Sequence, residues 1–124
     1  MTSIPGLNEV LSSVNAQVGG YVSSQQIDAM VKTGQPIKGD SFTVANPSKV
    51  PGNYVITFEK AFSGIPACVI NPITPGGINY LVNLRTDQTL SASEISFQIA
   101  GLDNNNYNAG FTFVASASAT GANA

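Results

Sequence analysis

Apolar and polar residues alternate along most of this chain, most sharply from Asn53 to Asn71, NYVITFEKAFSGIPACVIN. Tyr54, Ile56 and Phe58 fall on one face of an extended segment, while Val55 and Thr57 fall on the other. This period of two, rich in aromatic and β-branched residues, predicts a strand. A connector from Glu59 to Pro66 follows, with Phe62 placed to plug inward and Gly64 and Pro66 to turn the chain. A second strand, Ala67 to Asn71, runs back.

The same alternation recurs on both sides of this pair. Phe42 and Val44 share a face in Ser41 to Ala45. Ile78, Tyr80, Val82 and Leu84 share one in Ile78 to Thr86. Ile95, Phe97 and Ile99 do so in Glu94 to Ala100, and Phe111, Phe113 and Ala115 close the series. Between these runs lie Asn46 to Gly52, Pro72 to Gly77, Gln88 to Ser93 and Gly101 to Gly110, all built from turn-forming residues. Strands at roughly ten-residue spacing with Gly, Pro and Asn between them predict a mainly β domain, an antiparallel β-sandwich of about six to eight strands.

The N-terminal part differs in period. Leu7, Leu11, Val14 and Val18 are spaced four, three and four, a 3.5-residue seam that predicts a helix. Ser3 and Pro5 suit its start, and Gly19-Gly20 its end. Two heptads cannot hold a coiled coil alone. The seam therefore predicts either a helix packed on its own domain or a short bundle on a symmetry axis, held together by the β-domains. A second helix is expected over Ser24 to Thr33, with a capping box from Ser23 to Gln26, an apolar face of Ile27, Met30 and Val31, and Gly34 as its stop. The expected organisation is a helical stalk or anchor over 1–40, a β-sandwich head over 41–118 and a flexible tail over 119–124.

Composition sharpens this picture. Hydrophobic residues make up 43% of the 124 positions, but charged residues only 10%, against about 25% in an ordinary domain. Such a surface is either covered by copies of the chain or a larger assembly, or polar without being charged. Net charge is −2, and Lys32, Lys38, Lys49, Lys60 and Arg85 are scattered, so no nucleic-acid partner is expected. Residues 1–20 lack a basic start and a continuous apolar core, so no signal peptide is expected. No apolar run approaches the length of a membrane span, and no membrane insertion is expected. The single cysteine, Cys68, excludes an intrachain disulfide and reads as a small buried hydrophobe.

Reactive chemistry is mostly excluded. Without histidine there is no Ser-His-Asp triad, no Cys-His pair and no usual zinc site. The seven carboxylates lie singly along the sequence, and Gly76-Gly77 lacks the strand–loop–helix context of a phosphate cradle. Arg85 and Asp87 flank a turn and read as a surface ion pair. The strongest candidate for recognition is the loop Asp103, Asn104, Asn105, Asn106, Tyr107 and Asn108. Its amides could hydrogen-bond sugar hydroxyls and Tyr107 could supply a flat apolar face; a solvated turn with Tyr107 folded back on the sheet is the competing reading. One carboxylate, Asp103, is too few for a strong calcium site, and no metal or cofactor is expected.

Three segments carry a family resemblance. Gly52 to Phe58, Lys60 to Pro66, and Gly110-Phe111-Thr112-Phe113-Val114-Ala115 resemble the H-type lectin-like sandwich, in which an I-x-F strand precedes a phenylalanine and the last strand reads aromatic-x-aromatic. Ile4 to Leu11 resembles the short L-x-E-V-L element near the starts of phage and prophage fibre proteins. The resemblance implies a non-enzymatic virion protein: a short homotrimeric fibre or spike, joined to capsid or tail proteins by its N-terminal segment and attaching by its head to host-surface carbohydrate. It would be assembled in the host cytoplasm. Leu7, Leu11, Val14 and Val18 would then line the trimer seam. A capsid head-fibre or decoration protein that stabilises the shell, and a free bacterial carbohydrate-binding lectin, are the alternatives. The chain has neither tryptophan nor histidine, so no sugar-contacting residue of the family maps onto it.

Overall fold

A computed structural model of the chain describes residues 17–74, 79–84 and 90–117. Within them run β1 (Gln17–Val22), α1 (Ser24–Thr33), β2 (Ile37–Lys38), β3 (Phe42–Ala45), β4 (Asn53–Phe58), β5 (Ala67–Pro72), β6 (Tyr80–Leu84), β7 (Glu94–Gly101) and β8 (Phe111–Ser116). The strands form two antiparallel sheets, one of three strands in the order β1-β8-β5 and one of five in the order β2-β3-β4-β7-β6. The mainly β architecture expected from the alternation is what the chain adopts.

Alternation decides which side chains meet between the sheets. Tyr54, Ile56 and Phe58 of β4 are buried, as are Ile95, Phe97 and Ile99 of β7 and Phe111, Phe113 and Ala115 of β8. Their rings cross the sandwich. Phe113 meets Phe42 edge-on with centroids 4.8 Å apart, and Phe111 meets Phe97 edge-on at 5.0 Å. Phe62 enters the core from the connector after β4 and packs edge-on to Phe58 at 5.0 Å. Such pairs contribute about 0.5–1.5 kcal/mol beyond the area they bury.

Helix α1 begins and ends where expected. The Ser23 hydroxyl accepts from Gln26 N at 3.1 Å, and the Gln26 side chain accepts from Ser23 N at 2.9 Å. Gly34, at φ 74°, closes the last turn by donating to the Met30 carbonyl. Ile27 and Met30 point into the core, whereas Val31 is left exposed.

Three expectations are corrected. Val18 does not belong to a helical seam: it is a buried residue of β1, paired with Ala115 of β8. Gly19-Gly20 lies inside that strand and does not end a helix. The reason is the period. Val18, Gly20 and Val22 alternate inward, and Gly20 leaves room for the Phe42 ring, which a β-carbon would approach to 2.6 Å. Leu7, Leu11 and Val14 lie outside the described residues. The sandwich also begins earlier than Ser41, because β1 and β2, placed in the stalk by the sequence pattern, are strands of the two sheets. Finally, Leu84 is 46% exposed, for β6 is the outermost strand of the wider sheet; Ile78 of the same expected face lies outside the described residues.

The registers give the sandwich two distinct ends. At one, Gln17 and Ala67 flank Ser116. At the other lie the end of β1, helix α1, the turn 46–52 and the loop 102–110.

Candidate functional site

The turn 46–52 and the loop 102–110 are tied together by the residues that start β4. Gly52, at φ 80°, takes a left-handed backbone that a side chain would strain. A β-carbon there would also collide with the Ile99 carbonyl oxygen. From this position Gly52 N donates to Asn108 Oδ1 at 3.1 Å, and the Gly52 carbonyl accepts from Ile99 N at 2.9 Å. The Tyr54 hydroxyl donates to the same Asn108 Oδ1 at 3.0 Å and accepts from Ala109 N at 3.3 Å. Burial pushes the Tyr54 hydroxyl up from its ordinary 10.0 to about 12, so it remains a donor.

The loop expected to bind sugar spends most of its polar groups on itself. Asp103 accepts from Asn105 N and Asn105 Nδ2, each at 3.1 Å, and from the Tyr107 hydroxyl. The bond from Tyr107, first among these contacts, holds the Asp103 carboxyl below its usual range and raises the Tyr107 hydroxyl. Asn106 Oδ1 accepts from Gln98 Nε2 at 2.8 Å. The Tyr107 ring stacks on Tyr80 with centroids 4.8 Å apart. Asn104, at φ 66°, sits exposed at the tip. Asp103, Asn104, Asn105, Asn106, Tyr107 and Asn108 are thus brought together as a folded-back turn, with Asp103, Asn104 and Asn105 exposed and Tyr107 half-buried against Tyr80.

A second feature of this end was not expected from the sequence. Between the last turn of α1 and the turn 46–51 lies a cleft of about 510 Å³, with Met30, Lys32, Asn46, Pro47, Lys49 and Asn108 among its walls. That volume falls in the range of small-molecule sites, about 300–1,000 Å³. Asn46 Nδ2 donates to the Val50 carbonyl at 3.2 Å, while its Oδ1 is buried with no partner among the described residues. Lys49 is held at φ 61°, a conformation uncommon for a lysine and worth attention at a cleft wall. Asn108 alone belongs both to this cleft and to the loop singled out by the sequence. The only signal for the rest was the dense turn chemistry of 46–52, which says nothing of a helix that ends at Thr33.

Elsewhere, Cys68 is half-buried, and burial raises its thiol from 9.0 to about 11. Arg85 and Asp87 lie outside the described residues. No group of three or more His, Cys, Asp or Glu suited to a metal occurs among the described residues, and no described helix is long and apolar enough to cross a membrane.

The outer face of the three-stranded sheet is the other surface of note. Its registered rows are Gln17–Ser116–Ala67, Gly19–Val114–Val69 and Tyr21–Thr112–Asn71, and none of the nine residues is charged. Tyr21 and Val69 are each 63% exposed and Val114 45%. Comparison of the chain with protein-family models, with curated proteins and with solved structures found no match in any of the three.

Proposed function

We propose that this is a non-enzymatic attachment module, a β-sandwich head of the kind carried on a short trimeric phage fibre or spike. The observation that carries the reading is the polarity of the sandwich. The segment preceding Gln17 joins at one end, and the recognition loop and cleft lie at the other. A head held in this way presents its loops away from its anchor, and several weak sites on one rigid assembly act together. The uncharged outer face of β1-β8-β5 supports self-association, since copies can meet there without opposing like charges.

The test is the size of the intact chain by light scattering coupled to size exclusion, together with binding to a glycan array and to bacterial cells. A trimer that binds surface glycan is the expected result, and a monomer silent on both would overturn the reading.

A second reading is favoured by the same uncharged face: a capsid decoration protein whose sheet lies against the shell. It predicts binding to assembled capsids and silence on glycans.

A further inference from the structure

We propose that the cleft between the end of α1 and the turn 46–51 is a binding site for a carboxylate-bearing ligand with a C–H-rich body, of which a hexuronic acid unit is the sugar form. The choice of a sugar rests on the attachment reading above; the preference for a carboxylate rests on the cleft alone.

Charge gives the first argument. The chain carries a net charge of −2 and five basic residues in all. Two of them, Lys32 and Lys49, stand in the walls of this one cleft, which no acidic residue among the described residues lines. Lys32 comes from the last turn of a helix and Lys49 from a turn seventeen residues later, so the fold, not the sequence, brings them to one rim. Their ammonium groups are donors only and suit a carboxylate.

The floor gives the second argument. Met30, Val31, Pro47 and Pro51 supply apolar surface against which the C–H face of a ring can lie. Asn46 stands beside them with its Nδ2 bonded to the Val50 carbonyl and its Oδ1 shielded from the cleft, and Asn108 Oδ1 already accepts from Gly52 N and the Tyr54 hydroxyl. The contact such a floor offers a ligand is therefore apolar, and the polar contact is left to the lysines.

The third argument is rigidity. Lys49 N donates to the Asn46 carbonyl at 3.3 Å, Val50 N to Ser48 Oγ at 3.3 Å, and Asn53 N to the Val50 carbonyl at 3.2 Å. On the opposite wall Gly34 N is bonded to the Met30 carbonyl at 2.8 Å. Both walls are therefore formed before a ligand arrives, and little order remains to be imposed on binding.

The experiment is a nuclear magnetic resonance titration of the uniformly ¹⁵N-labelled full chain with sodium glucuronate, sodium cyclohexanecarboxylate, glucose and, for ionic strength, sodium chloride. The expected result is saturating shifts of the Thr33, Gly34, Asn46 and Lys49 amides with glucuronate, on the order of 1–10 mM, and none with glucose or chloride. Lys32→Gln and Lys49→Gln should each weaken binding about fivefold while leaving the remaining amide spectrum unchanged. Saturation by cyclohexanecarboxylate but not glucuronate would keep the carboxylate site and remove its link to glycan attachment. Shifts that sodium chloride reproduces, shifts at the 103–107 loop only, or binding that survives the double lysine substitution would each overturn the proposal.

Discussion

The Phe42 ring lies directly against Gly20, so that a β-carbon on Gly20 would stand 2.6 Å from both Cε1 and Cζ of the ring. The ring has no room to retreat: Gly39 flanks it as well, and Phe113 meets it edge-on at 4.8 Å. Gly20→Ala should therefore destabilise the fold by about 1–3 kcal/mol, the usual cost of overpacking. Urea unfolding followed by tyrosine fluorescence measures this, and Gly34→Ala is no control because φ there is positive. Gly64→Ala is the better one, since a β-carbon at Gly64 meets nothing within 4 Å.

Phe58 is buried and packs edge-on to Phe62. Phe58→Ala should cost about 3–5 kcal/mol. A cost near zero in the same urea experiment would mean that the connector after β4 does not close the core as described.

Tyr54→Phe removes the hydroxyl that joins β4 to the 108–110 segment and leaves Ala109 N, a buried donor, without its acceptor. A loss of about 1–3 kcal/mol is expected at neutral pH. The pH dependence then identifies the group. The hydroxyl is raised from 10.0 to about 12 in the fold, so its contribution is fully present below pH 10 and is lost as pH rises through about 12. The stability gap between the native chain and Tyr54→Phe should narrow across that window. A gap that stays constant from pH 9 to 12 would show that the hydroxyl is not buried in this way.

Cys68 should resist modification. With its thiol raised from 9.0 to about 11, the thiolate fraction near pH 8 falls about a hundredfold. Reaction with a disulfide reagent such as dithionitrobenzoate should be slower in the native state than in urea by at least that factor. Equal rates would place the sulfur at the surface.

The parts of the fold that were legible in the sequence are those where one period dominates. In β4, β7 and β8 a single inward row of large side chains fixes the strand and its face together, and the Ser23–Gln26 box fixed the start of α1. The reading failed at Val18 because four, three, four spacing needs only a few positions to look helical, while the opposing signal, Val18-Gly-Gly20-Tyr-Val22, has a glycine at its inward centre. An inward glycine carries no hydrophobic mark, and its role becomes visible only when Phe42 is seen against it. The recognition loop was located from its amides and Tyr107, but a sequence cannot tell a donor that faces solvent from one that Asp103 or Gln98 already holds. The cleft was illegible for a related reason. Its two walls belong to separate elements, and neither Lys32 nor Lys49 means anything until Gly52, Tyr54 and Asn108 fix the turn beside the helix.

The order of strands in the smaller sheet has a consequence for how the chain is made. β8 is the last of the described strands to leave the ribosome and also the central one of its sheet, so among the described strands β1 and β5 have no hydrogen-bonded neighbour in that sheet until it arrives. Pairing Gln17 with Ser116 spans nearly the whole described chain, the kind of long-range closure that slows folding. The five-stranded sheet lacks only its β7 and β6 strands when β4 is complete, and it can form while synthesis continues. The nascent protein thus passes through a stage with one sheet built and the opposite layer open, its aromatic interior covered only once β8 has been made.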